Sequence, residues 1–189
     1  MIVLGLALTF SAAGVYARYE HRAREAGTNA QILLQEVKVQ IEEKKLTATK
    51  VEATEGQMAQ TTVDGRGVIG ILQIEKAGIQ LPVLDKWSYE NLQYGPCRYS
   101  GSLKEGNLVF LGHNYADHLS DLDLVKKGDT VDFFDVTGVC HTFSVVETVS
   151  IAPTDIEAVT ASEYPLTIFT CTPGGQSRYV VYCSVGPQT

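Results

Sequence analysis

From residue 67 onward the apolar residues come in short runs rich in Val, Ile, Phe and Tyr, cut apart by Gly, Pro, Asn and Asp, and this punctuation is what most restricts the fold. Strands are predicted at 68–74, 79–84, 107–111, 130–135, 139–150, 166–171 and 179–185. Within them, Val131-Asp132-Phe133 and His141-Thr142-Phe143-Ser144-Val145 alternate as half-buried antiparallel strands do. Short helical turns are expected at 88–94, 119–125 and 155–161. About seven or eight strands in so short a stretch predict an all-β barrel or sandwich.

The preceding residues are a different object. Residues 1–17 carry no charge and turn polar at Arg18, the pattern of a membrane anchor or signal segment. The weak cleavage site around Tyr16 and the helix-forming stretch behind it favour an anchor that stays attached. Arg18, Arg22 and Arg24 follow the run and nothing basic precedes it, which opposes an outward orientation unless the sequence begins inside a longer segment. Residues 18–66 read as a helical stalk and flexible linker. Ile32, Leu33, Val37, Val39 and Ile41 form a loose apolar stripe, Gly27-Thr28-Asn29 leaves one helix or two open, and 47–66 lack bulky apolar residues. The folded domain is expected at 67–189.

Charge divides the same way. Of 15 Lys/Arg and 22 Asp/Glu, 8 of each lie before Gly67, so the domain carries the whole net charge of -7. An acidic domain without a basic cluster excludes a nucleic-acid partner.

Four cysteines, Cys97, Cys140, Cys171 and Cys183, show no CxxC pair, and the offset between His113 and His118 matches no strong zinc spacing, so no metal is assigned. Cys171 stands apart. It closes a predicted strand and is followed by Thr172-Pro173-Gly174-Gly175, where the chain must turn, so its thiol faces a loop. Arg178 opens the next strand seven residues later, and the hairpin brings its guanidinium fork toward the sulfur. His113 also stands where a strand yields to a loop, and a Cys with a neighbouring His is an acyl-transfer pair. Singly, each has a plain structural explanation: a core thiol, a solvated Arg, a carbonyl-capping His.

The runs Leu-Thr-Ile-Phe-Thr-Cys at 166–171 with Arg178 behind it, Gly-Asn-Leu-Val-Phe-Leu-Gly-His-Asn at 106–114, Lys-Lys-Gly-Asp at 126–129 and IEKAGIQLPV at 74–83 together resemble the motifs of sortases, in order over about residues 67–185. The resemblance implies an eight-stranded β-barrel with short helices behind an N-terminal membrane anchor and stalk, on the outer face of a Gram-positive cell. It implies a cysteine transpeptidase that needs no cofactor. Cys171 would be the nucleophile, His113 the acid/base and Arg178 the stabiliser of substrate and oxyanion. The substrates implied are an LPXTG-type sorting signal and a peptidoglycan precursor or wall amine as acceptor.

Thr170 is then a candidate substrate contact or simply a β-branched strand residue. Asn114, Tyr115 and His118 are cleft-lining or ordinary loop residues. Cys97, Cys140 and Cys183 match no motif and read as free or core thiols, with a Cys97–Cys183 bridge left open. The 47–66 linker has neither Pro nor an aromatic residue, so the Asp-Pro-aromatic lid of pilin-polymerising sortases looks absent and wall anchoring is favoured. The alternatives are a pilin-polymerising sortase, an L,D-transpeptidase, whose His-Gly and Cys-x-Arg patterns are missing, and a non-catalytic membrane-tethered barrel that binds peptide.

Overall fold

The computed structural model describes residues 2–47 and 58–186, with side chains in the first helix described from residue 13 to residue 45. Among the described residues, helix α1 (Ile2–Thr47) is followed by nine strands: β1 (Thr61–Val63), β2 (Arg66–Ile74), β3 (Ile79–Leu84), β4 (Cys97–Ser100), β5 (Leu108–Gly112), β6 (Thr130–Asp135), β7 (Cys140–Ile151), β8 (Leu166–Cys171) and β9 (Arg178–Val185). Their order is β1-β2-β3-β4-β5-β8-β9-β7-β6, and β6 returns to pair with β2. That last pairing, Gly70↔Asp135 to Gln73↔Asp132, closes eight strands into a barrel and leaves β1 as an extra strand on the first part of β2. Closure removes the exposed edges that a sheet of this width would otherwise present.

Period-2 alternation divides each strand between the barrel interior and an outer face. The interior holds Leu72, Ile74, Leu81, Phe110, Val131, Phe133, Leu166, Ile168 and Val181. Phe110 and Phe133 meet at 5.2 Å between ring centroids. Two apolar patches remain on the outside. One, made of Val63, Val68, Ile71, Leu84 and Cys97, is covered by Leu33, Leu34, Val37 and Ile41 of α1. The other, made of Val109, Phe169, Val180 and Tyr182, is capped by Val159 of the short helix α2 (Glu157–Thr160), where the Tyr182 hydroxyl donates to the Ala158 carbonyl at 2.6 Å.

Two expectations need correction and one open point is settled. The stretch 47–66 is not linker throughout: 58–66 contain β1 and the buried Met58, while 48–57 lie outside the described residues. The helix is continuous across Gly27-Thr28-Asn29, and Thr28 returns its hydroxyl to the Arg24 carbonyl at 3.0 Å. Its buried stripe is Ala26, Ala30, Leu33, Leu34, Val37 and Ile41, at helical spacing, while Ile32 and Val39 are 57% and 58% exposed. The helix is thus docked on the barrel rather than held away from it. The anchor expected at 1–17 falls mostly on residues whose side chains are not described; among the described residues no helix is long and apolar enough to cross a membrane.

Candidate active site

Strand register assembles the candidate residues. In the β8–β9 hairpin Cys171 lies directly opposite Arg178. Opposed residues of an antiparallel pair have their Cα atoms about 4.5–5.5 Å apart and side chains on one face. β5 runs parallel to β8, with Gly112 paired to Thr170, so His113 follows one residue beyond the last paired position, level with Cys171. The parity agrees: 109 and 111 on β5, 167, 169 and 171 on β8, and 182, 180 and 178 on β9 share the outer face that bears the second apolar patch, and His113 follows just past the end of β5. The trio is the polar end of that patch. Tyr99 stands edge-on to Phe169 at 5.5 Å and carries Trp87 stacked on it at 5.9 Å, extending the apolar surface beside the thiol.

The loop after Cys171 is tightly built. The Thr172 N–H donates to the Ser177 carbonyl at 3.0 Å, and the two hydroxyls meet at 2.9 Å across the turn. Gly174 and Gly175 occupy left-handed φ of 79° and 71°, which a residue with a Cβ adopts only under strain. Arg178 donates through Nη1 to the carbonyls of Gly175 at 3.2 Å and Ser177 at 3.1 Å. The guanidinium is thereby held at the turn with its remaining donors uncommitted to these carbonyls.

His113 is half-buried between two partners, of which Gln93 has no place in the sequence reading. Its Nε2 lies 3.2 Å from Nε2 of Gln93, in the 3-10 turn Asn91–Gln93, and its ring stacks on Tyr115 at 4.5 Å. Burial, followed by the charge of nearby His118, lowers its pKa and favours neutral imidazole. Arg22, Glu25 and Asn29 of α1 face Glu90, Gln93, His113 and Tyr115 across a cavity of about 510 Å³. The helix therefore forms one wall of the His113 side of the cleft, although the linker has no lid motif.

The remaining expected residues are placed differently. Thr170, offered as a substrate contact, is 3% exposed on the barrel-interior side, and its hydroxyl donates to the Gly112 carbonyl at 2.9 Å. It is a strut between β8 and β5, setting the level of His113 against Cys171. Asn114 is half-buried in the loop behind His113. Tyr115 and His118 are buried rather than solvent-exposed: Tyr19 of α1 stands edge-on to Tyr115 at 5.5 Å, and His118 is 2% exposed. All four cysteines are free, so Cys97 and Cys183 form no bridge. Burial pushes both thiols up to about 12, leaving them inert, whereas Cys171 is partly accessible.

A family model of the sortase domain matches residues 72–185, most of the barrel and all three residues of the trio. The chain belongs to the sortase family. Members of this family are generally cysteine transpeptidases. Sortase A of Bacillus anthracis is 27% identical over 143 residues, covering 71% of this chain and 68% of the relative. Among solved structures, the fold is similar to the sortase D5 transpeptidase of Clostridium perfringens, with a TM-score of 0.63 and 21% identity over 85% of this chain and 99% of that one. It is also similar to sortase C of Streptococcus pneumoniae, with a TM-score of 0.59 and 22% identity over 82% and 89% of the two chains.

Proposed function

We propose that this sortase cleaves an LPXTG-type sorting signal through a thioacyl-enzyme on Cys171 and joins the freed carboxyl end to an amine of the cell wall. The observation that carries the reading is that Cys171 stands opposite Arg178 across the β8–β9 hairpin, with His113 one residue beyond the β5 position paired to Thr170. The thiolate of Cys171 attacks the Thr carbonyl carbon of the signal. The S–C bond forms, the C–N bond to Gly breaks, and imidazolium His113 gives its proton to the departing amine. Arg178 stabilises the oxyanion of the tetrahedral intermediate with donors not used on the turn. An incoming amine then repeats the sequence in reverse, and His113 takes its proton. The apolar surface of Phe169, Tyr99 and Trp87 suits the Leu-Pro part of such a signal.

In this reading the apolar start of the chain tethers the enzyme to the cell membrane as a single pass, with the barrel outside the cell. A pilin-joining enzyme is the second reading. It is favoured by the helix wall beside His113 and by likeness to the pneumococcal enzyme, whose structure is described in terms of pilin substrate specificity. Incubating the full chain with an LPXTG-type peptide and triglycine, with product masses read by chromatography and mass spectrometry, tests the function. The expected product is the acyl fragment joined to triglycine. An intact peptide across a panel of related signals would refute the reading.

A further inference from the structure

Gln93 has no place in the trio, yet the structure sets its side-chain amide against the edge of His113, 20 residues away in sequence. We propose that Gln93 is the positioning residue of His113: it anchors the Nε2 edge while Tyr115 holds the ring face, leaving Nδ1 for the reaction. The proposal rests on the reading of His113 as the acid/base. Three features support it.

The first is geometric. A ring stacked on one face and bonded at one nitrogen keeps only small freedom to rotate, and acid/base work needs that restriction. The second is chemical. Gln93 can meet the Nε2 edge with either end of its amide: NH₂ donates to an Nε2 lone pair, and a half-turn puts Oε1 opposite an Nε2–H. The second arrangement leaves the lone pair on Nδ1, where the thiol proton of Cys171 is taken to give thiolate and imidazolium. Donation of that Nδ1 proton to the leaving amine returns the same Nε2–H ring, still donating to Oε1, and the proton count closes.

The third feature is the surroundings. From α1, Arg22 and Glu25 face the same cavity, and from the Gln93 side come Tyr89, Glu90 and Tyr94. His118 is the charge nearest in effect from the His113 loop. Opposite signs on α1 leave a neutral, reversible partner as the group in contact with the imidazole.

The test uses the full chain as wild type, Gln93→Glu and Gln93→Met. The tautomer and titration of His113 are read by nitrogen-15 NMR, and the rate of acyl-adduct formation on Cys171 is read by mass spectrometry. Wild type is expected in the Nε2–H tautomer at neutral pH. Gln93→Glu, nearly isosteric, should keep that tautomer, raise its titration by about one pH unit or more, and move the matching limb of the rate profile equally. Gln93→Met should slow adduct formation on the order of tenfold at saturating peptide with KM unchanged. An Nδ1–H ring in wild type, or a Gln93→Met chain with wild-type rate, would overturn the proposal. Absence of any adduct in wild type with the His113 shifts intact would instead sink the transpeptidase reading and leave the Gln93–His113 coupling in place.

Discussion

The barrel carries two apolar patches on its outside, and they are finished in opposite ways. The patch on β1 to β4 is sealed by α1, with Leu33, Leu34, Val37 and Ile41 laid over Val68, Ile71, Leu84 and Cys97. The patch on β5, β8 and β9 is capped at one end by α2 and left open at the other, where Cys171, Arg178 and His113 stand. Cys97 and Cys171 show the consequence: the same side chain is an inert core group under the helix and an accessible thiol at the open strand end. In the proposed reading, function follows from where cover stops, since a strand end beside a glycine turn leaves room for a substrate that a sealed patch does not.

The contrast can be broken from either side. The largest effect is expected at the open patch, where Arg178→Lys keeps the charge but loses the fork. Adduct formation should fall on the order of 10²–10³-fold with the unfolding midpoint unchanged, and near-normal turnover would refute the role. On the helix side, Gly27 packs closely on the loop behind His113: a Cβ there would lie 2.5 Å from Oδ2 of Asp117. Gly27→Leu should therefore prise α1 from the loop behind His113 and cost about 1–3 kcal/mol in urea unfolding, with loss of the Tyr19–Tyr115 contact. Stability equal to wild type would show that the helix does not depend on that approach.

Between the patches lies the strut. Thr170→Val removes the bond to the Gly112 carbonyl while keeping the shape, and should cost about 1 kcal/mol of stability. A larger loss of activity than of stability would indicate that the level of His113 against Cys171 depends on it. The smallest effect is a dependence on pH. His118 is buried against α1, beside the Ala26 backbone. Burial lowers its pKa, with the Ala26 backbone and the Asp117 charge working in the other direction. The folded state then binds fewer protons than the unfolded one, so stability is full above about pH 6.5 and declines as pH falls below it. His118→Phe should flatten this decline, and an unchanged slope would place its origin elsewhere.

Much of the barrel was legible in the sequence because its signals are local. β3, β6 and β8 have the bounds that their alternation and turn residues indicate, and Cys171, Arg178 and His113 stand at strand ends marked by Gly and Pro. β4 was missed because four residues, Cys-Arg-Tyr-Ser, carry too little apolar pattern. Arg98 fits there through the Asp85 carboxylate at 2.6 Å, a partner 13 residues away. β1 was hidden in a stretch without bulky residues, and it exists by pairing with β2.

The helix cover, the Gln93 contact and the strut role of Thr170 all depend on what the fold brings together, and no local spacing announces them. Gly27 is the instructive case. In sequence it reads as an interruption of the helix, whereas in the structure its missing side chain is what lets the helix reach Asp117.

The central claim is that the open strand end presents a nucleophile. Intact-mass spectrometry of the full chain mixed with an LPXTG-type peptide, beside a Cys171→Ala control, addresses it most directly. The account predicts an adduct with the mass of the acyl fragment in the wild-type chain and none in the control. An adduct of equal yield in the control, or none in wild type across a panel of related signals, would contradict it.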